Sequence, residues 1–364
     1  MTSAADPRVA HGARAARKSH SPEWLFCLRW CLFGALLALL AACGDTPAVY
    51  RLEGATMGTT WHATLVSHDG AGYDESGLSS GIAGLLEAVN DSMSTYREDS
   101  TISRFNQSPV GEWFKPDADF DTVLAAALDI GEKSRGAYDI TVGPLVNLWG
   151  FGPQGPVNGP PEKTVIAQTA QRMGQDKLEF DRNSGALRKT ADLYLDFSSI
   201  AKGFAVDRVC EWLEQQGIHD YLVEVGGELR VAGRSPRNDA WRVAIEQPDS
   251  EHFDIANMIE PGNSGVATSG DYRNFFELDG VRYSHSIDPR TGYPVAHELV
   301  SVTVVHPSTM VADGWATALT VLGPDAAWQV AQAQGLAVYF IQRKGEGFES
   351  RYTSAFETYL TATE

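Results

Sequence analysis

Asp313 and Thr317 stand four residues apart. On a helix that spacing puts both side chains on one face, with Cβ atoms roughly 5–6 Å apart. A carboxylate and a hydroxyl so placed can reach one hard cation, and Mg²⁺ commonly takes only one or two carboxylates, leaving its other positions to water and substrate phosphate. The same spacing also suits a helix that Asp313 caps while Thr317 bonds back to a carbonyl. A second group is the run Asp196-Phe197-Ser198-Ser199-Ile200-Ala201-Lys202-Gly203. Its small residues let backbone groups approach a ligand and Lys202 adds a positive charge, although an ordinary β–α turn with a solvated lysine has the same composition. A third is the polar loop His285-Ser286-Ile287-Asp288-Pro289-Arg290-Thr291-Gly292, in which His285 suits a base, a ligand partner or a packed core histidine. Gly226-Gly227 marks a bulge or a tight strand end. The chain has no Walker loop, H-E-x-x-H or C-x-x-C, so P-loop and zinc chemistry have no support.

The elements that must hold these groups follow from periodicity and punctuation. Tyr50 to Ser67, containing Met57-Gly58-Thr59-Thr60, alternates as one strand, and Ile82, Leu85, Leu86, Val89 and Met93 predict a helix over 80–94. A helix over 119–134 stops at Gly136, and 153–161 is a Gly/Pro-rich exposed loop. Leu193 to Asp196 is expected as a short buried strand feeding a helix over 199–216, with strands over 221–232 and 241–247. Asp279-Gly280 signals a hairpin between 275–278 and 281–285. A strand over 299–305, a helix near 312–322 and a helix begun by Pro324 and ended by Gly335 lead to a closing strand over 336–342. This mixture predicts an α+β fold, with residues 50–364 as a single domain and no internal repeat.

Hydrophobic residues make up 43% and charged residues 21%, which is globular composition. With Lys+Arg 29 against Asp+Glu 47, the net charge of −18 argues against nucleic-acid partners, which need a basic face. An anionic ligand would then be held by local cations, backbone N–H groups or a metal ion. Residues 1–42 are expected to be an export signal: Arg14, Arg17 and Lys18 precede an apolar run, and Leu40-Ala41-Ala42-Cys43 resembles the lipobox at which bacterial lipoproteins are cleaved and lipidated. An uncleaved membrane anchor is the alternative, but Arg29 interrupts the stretch from Leu25 to Ala42. Cys43 would carry the lipid, 43–49 would be a tether, and the protein would face the periplasm of the bacterial envelope. Cleavage removes five basic and two acidic residues and leaves 24 against 45, a net of −21. Cys210 then remains alone, in an apolar helical stretch that suits a buried structural thiol.

Taken together, the segments resemble the FAD:protein FMN transferases, the ApbE family. They are Met57-Gly58-Thr59, the loop from Ser94 to Asn106, Gly136 to Leu145, Asp196 to Asp207, Val225-Gly226-Gly227-Glu228, Ala267 to Arg273, His285 to Gly292 and Asp313 to Thr317, in the family's order over roughly 50–345. The resemblance implies FAD in a cleft between two α+β subdomains. It implies FAD contacts from Met57, Tyr96, Ala137, Tyr138, Asp139, Asp196, Lys202 and Ile287, and a metal held by the Ser199 carbonyl, Asp313 and Thr317. It assigns His285 as the catalytic histidine and Lys202 as electrostatic support. It further implies transfer of the FMN half of FAD to a threonine hydroxyl, release of AMP, and Mg²⁺ (or Mn²⁺, which also prefers oxygen) as the metal. The acceptors would be subunits of membrane redox complexes of the NADH:quinone reductase or Rnf type. A metal-dependent FAD pyrophosphatase and a non-catalytic FAD-binding lipoprotein are the alternatives. One departure is Ser198-Ser199, where many relatives carry two glycines: a carbonyl ligand is indifferent to the side chain, but the added Cβ atoms narrow the approach to the pyrophosphate.

Overall fold

The first described segment is a hairpin, β1 (Ala48–Thr56) with β2 (Thr59–Ser67), in place of the single strand expected there. Its two-residue turn is Met57-Gly58, and both residues have positive φ, 49° and 71°. Met is not a residue that announces such a turn, which is why alternation alone ran the two strands together. The computed structural model describes residues 46–157, 159–248, 254–270, 275–278 and 280–361. The export signal, Cys43, the segment Asp271-Tyr272-Arg273 and Asp279 of the expected hairpin turn lie outside the described residues.

Three helices follow: α1 (Glu75–Met93), α2 (Thr101–Gln107) and α3 (Ala118–Lys133), N-capped by Asp74, Ser100 and Asp117 through side-chain oxygens. Short helices α4 (Gly143–Leu148) and α5 (Lys163–Ala170) and the small hairpin β3 (Leu178–Asp181) and β4 (Ala186–Lys189) come next. Residues 193–196 are buried except for half-buried Tyr194 and join no ladder, contrary to the strand expected there. Asn106 satisfies them in place of a neighbouring strand: its amide donates to the Leu195 carbonyl at 2.9 Å and accepts from the Leu195 N–H at 2.7 Å.

Helix α6 (Ala201–Gln215) leads to β5 (Tyr221–Val225) and β6 (Glu228–Ala232), a hairpin turning at Gly226-Gly227, and then β7 (Val243–Glu246) pairs with β8 (Ile255–Ile259). Strand β9 (Gly265–Gly270) precedes the hairpin of β10 (Phe275–Leu278) and β11 (Val281–Ser284), as Asp279-Gly280 predicted, and the two-residue strands β12 (Ile287–Asp288) and β13 (Tyr293–Pro294). The chain continues with β14 (Leu299–His306), helices α7 (Thr309–Leu322) and α8 (Pro324–Ala333), β15 (Ala337–Lys344) and β16 (Gly347–Tyr352). The last strand was not visible in the sequence, because only two of its side chains are even half-buried and no apolar alternation marks it.

Eight strands form one antiparallel sheet in the order β1-β2-β5-β6-β9-β14-β15-β16, and with its helices the fold is α+β. Both faces of the sheet are covered. In β15, Val338 and Phe340 join the main core with α1, α3, α6 and α7, while Ala337, Tyr339 and Ile341 join a second core around Trp241, Ile245 and Phe356. Successive residues of a strand point to opposite faces, so covering both gives the nearly continuous apolar runs of β14 and β15. Cys210 lies buried in α6, and burial raises its pKa and keeps it a thiol.

Candidate active site

A cleft of about 550 Å³ opens where the N-terminus of α6, the Asp313–Thr317 face of α7, the β5–β6 turn and β9 meet. Tyr96, Ala137, Tyr138, Asp139, Asp196, Ser199, Lys202, His285, Ile287, Asp313 and Thr317 all line it. Met57 does not; it sits half-buried in the β1–β2 turn and packs against the main core. Residues scattered over more than two hundred positions are thus gathered by topology.

Glycines make the gathering possible. A Cβ on Gly203 would lie 2.4 Å from the Thr309 carbonyl oxygen and 2.8 Å from Asp313 Cβ, so α6 and α7 touch backbone to backbone there. Gly226, at φ 57°, leaves room for Lys202, whose Cδ would lie 3.1 Å from an added Cβ.

Helix α7 begins at Thr309 and takes its N-cap from Ser308, whose Oγ accepts from the Val311 N–H. Asp313 therefore does not cap the helix. It stands a turn inside, only 3% exposed, and its Oδ2 accepts from the Gly203 N–H at 2.9 Å. Thr317, one turn on, has its hydroxyl 3.2 Å from Ser269 Oγ. Both lining oxygens face one space, as a shared ligand requires.

Lys202 is not a solvated lysine. Its Nζ is 2.9 Å from Glu228 Oε2, and Glu228 is buried, in the first position of β6 behind the glycine turn. Burial pulls the Lys202 pKa down, but the charges of Asp313 and Glu228 outweigh it and hold the ammonium protonated. Burial pushes Glu228 up to about 7, against the opposing pull of Lys202 and with further help from Asp313. Asp313 is likewise raised, mainly by burial, with Lys202 and the Gly203 N–H acting against it. Two buried carboxyls thus share one ammonium, a set that a further cation would relieve.

The other wall is held by local polar bonds. Ser199 Oγ donates to the Tyr138 hydroxyl at 2.9 Å and ties the Ser198-Ser199 segment to residues 137–139. Asp139 Oδ1 accepts from the Thr141 N–H at 2.8 Å and its hydroxyl at 2.6 Å, and burial raises the carboxyl's pKa. Asp196 Oδ1 accepts from the Ser198 N–H at 2.8 Å. Tyr96 is 70% exposed at the rim. His285 is half-buried beside Phe151, with ring centroids 6.4 Å apart. Ile287 is buried in a small third core with Leu145 and Trp149.

Two groups with clear work in this site carried no assigned role in the sequence. Glu228 was visible only as part of the Val225-Gly226-Gly227-Glu228 run; the period-2 rule places it on the same face as Arg230, but not against Lys202, which is 26 positions away. The hydroxyls of Thr268 and Thr303, 2.8 Å apart across β9 and β14, carried no signal beyond strand propensity.

Comparison with known proteins gives consistent neighbours. The sequence model of the ApbE family matches residues 57–340. The FAD:protein FMN transferase of Vibrio cholerae serotype O1 is 43% identical over 332 residues, which span 91% of this chain and 99% of that one. The FAD:protein FMN transferase of Escherichia coli K12 is 41% identical, over 85% of this chain and 89% of its own length. Among solved structures, the flavin transferase ApbE from Vibrio cholerae superposes with a TM-score of 0.81 at 42% identity, over 86% of this chain and all of that one. The apo form of the Pseudomonas stutzeri flavinyl transferase ApbE gives 0.80 at 40% identity, over 87% and 98%.

Proposed function

This chain belongs to the ApbE family, and from that premise we propose that it transfers the FMN half of FAD to a threonine hydroxyl of a partner protein, releasing AMP. The observation that carries the reading is the convergence, in one cleft, of the Lys202 ammonium, the buried Asp313 carboxylate, the Thr317 hydroxyl and the Ser198-Ser199 backbone.

In the transfer, the acceptor oxygen attacks the phosphorus on the FMN side of the pyrophosphate and forms a phosphoester. The bridging P–O bond breaks and its electrons leave with AMP. The hydroxyl proton must go to a base, and His285, half-buried in the cleft wall, is assigned that role. Lys202, held protonated, offsets the negative charge of the diphosphate, as phosphoryl transfer requires.

The donors fit a small hard dication. Asp313, Thr317 and the Ser199 carbonyl supply only oxygen, and burial raises the Asp313 pKa, so a cation beside it would favour its charged form. Among the described residues no three His, Cys, Asp or Glu side chains cluster as a metal cage. A set with a single carboxylate is the kind that Mg²⁺ completes with water and substrate phosphate. When bound, the ion would neutralise developing charge and orient the diphosphate.

We extend the proposal to location: Cys43 is lipidated after cleavage, which tethers the enzyme at the membrane on the periplasmic side, close to acceptor subunits of membrane redox complexes. The test is incubation of the purified protein with FAD, Mg²⁺ and candidate acceptor subunits, with covalent flavin followed by fluorescence on a denaturing gel and AMP by chromatography. Covalent flavin with stoichiometric AMP is expected. FMN and AMP without covalent flavin would make it a pyrophosphatase, and bound FAD left intact would make it a binding protein.

A further inference from the structure

Asp207, in the middle of α6, is a buried carboxylate whose contacts all lie outside its own helix. The Thr309 N–H donates to its Oδ1 at 2.9 Å, the Met310 N–H to its Oδ2 at 3.0 Å, and the Ser308 hydroxyl to its Oδ2 at 2.7 Å. An α-helix starts with N–H groups that have no partner within the helix. In α7 the first two are taken by Asp207 and the third, at Val311, by Ser308 Oγ, while the Ala312 N–H makes the first bond within the helix, to the Ser308 carbonyl. The first turn of α7 has no acidic residue of its own, so the charge that complements this end of the helix comes from α6. Arg230 on β6 holds Asp207 in turn, Nη1 to Oδ1 at 3.3 Å, and reaches Glu214 at 3.7 Å. One turn along α6 from Asp207, Gly203 abuts Thr309 and gives its N–H to Asp313.

We infer that Asp207 is a positioning residue for the transfer reaction: by fixing the first turn of α7 against α6, it sets where Asp313 and Thr317 stand in the cleft. The inference rests on the metal-site reading above. Thr309 is one helical turn from Asp313 and two from Thr317, so a shift at the start of α7 is delivered to both with little loss along a rigid helix. Neither Asp207 nor Arg230 lines the cleft. Asp207 acts only through the helix, in the way that groups behind metal ligands orient the ligands themselves.

The test is Mn²⁺ binding to the FAD-loaded protein, read as loss of the free-ion signal in electron paramagnetic resonance. Asp207→Ala is expected to weaken Mn²⁺ binding by about 10–100-fold, the usual cost of removing a group behind a ligand. FAD affinity without metal should stay near wild type. Asp207→Asn retains one acceptor oxygen for the helix N–H groups and should lose less. It also serves if Asp207→Ala does not fold. Val338→Ala, a core truncation in β15 far along the chain, controls for general destabilisation: it should lower the melting temperature and leave Mn²⁺ affinity unchanged. Asp313→Asn separates the two ideas. If Asp313→Asn abolishes Mn²⁺ binding while both Asp207 variants bind like wild type, the positioning role is overturned and the metal site stands. If Asp313→Asn binds like wild type, the metal-site assignment is what has failed.

Discussion

At the scale of single residues, the cleft is governed by three charged groups in unequal number: half-buried Lys202 against the buried Glu228 and Asp313. Asp313→Asn keeps the shape and can still accept from the Gly203 N–H, but it halves no distance and removes the one formal charge among the proposed metal donors. Transfer should fall by roughly 100-fold or more at ordinary Mg²⁺, since metal charge stabilisation is worth several kcal/mol and each 1.36 kcal/mol is tenfold. Full turnover in a Mg²⁺ titration of this variant would remove the metal assignment. Lys202 is harder to probe alone. Its removal strands Glu228, and breaking one side of a buried pair costs about 3–5 kcal/mol. The double variant Lys202→Met with Glu228→Gln is therefore the cleaner measure of its effect on FAD affinity.

Glu228 also carries a pH dependence whose sign is fixed. Its pKa in the folded protein, about 7, lies above the ordinary 4.5, so folding takes up a proton between those values. The stability this group contributes is complete below about pH 4.5 and is lost as pH rises through 7. Urea midpoints of wild type minus those of Glu228→Gln should accordingly decline from pH 5 to pH 8. A difference that is flat, or that rises, would contradict the burial described for this carboxyl.

At the scale of elements, the contact of α6 with α7 and the β1–β2 turn make opposite demands on glycine. Gly203→Ala would gain up to about 1 kcal/mol of helix propensity. Against this stands a Cβ 2.4 Å from the Thr309 carbonyl oxygen, a backbone atom that cannot swing away. Overpacking of this kind costs about 1–3 kcal/mol, so the net effect should be a lower urea midpoint together with weaker metal response, because Asp313 moves with α7. Met57 has the reverse problem: a side chain where the backbone, at φ 49°, favours glycine. A non-glycine residue held in the left-handed region stores about 1 kcal/mol or more and persists where its surroundings hold it, here the main core that Met57 packs against. Met57→Gly should therefore leave stability within about 1 kcal/mol of wild type, and FAD affinity should stay unchanged because Met57 does not line the cleft. Weakened FAD binding by fluorescence titration would overturn this and give Met57 a contact with the ligand.

At the scale of the whole molecule, the eight-stranded sheet with both faces covered provides a rigid base, and the cleft forms where helix ends and hairpin turns meet beside it. The proposed tether belongs here as well. Cys43→Ser should leave a full-length, unlipidated precursor in cells, and the wild-type protein should partition with membranes. Mass spectrometry that finds an unmodified N-terminal Cys43 on the mature wild-type chain would rule out the lipoprotein reading.

The sequence by itself determined the class of fold and most elements, and its resemblance to a family picked out many of the polar residues that line the cleft. Those signals are local: amphipathic spacing places α1, α3 and α7, Pro324 and Gly335 bracket α8, and Asp279-Gly280 sets a hairpin. The ordered segments from Met57 to Thr317 carried the family, because eight short runs in one order are specific even when each is not. What only the tertiary structure decided depends on approach between distant segments. Whether Lys202 meets solvent or Glu228, whether Asp313 caps a helix or points into a cleft, and which carboxylate receives the first N–H groups of α7 are settled by how closely α6, α7 and β6 come together. Periodicity assigns a residue to a face. It cannot say what the face will touch, because that is fixed by packing across 20 to 110 positions of chain, such as the contact of Gly203 with Asp313 at a separation of 110. The run at 193–196 shows the same limit: its apolar residues predicted burial correctly, but the Asn106 side chain at Leu195 and the Ile140 carbonyl at the Asp196 N–H replaced the strand neighbour that burial would ordinarily require.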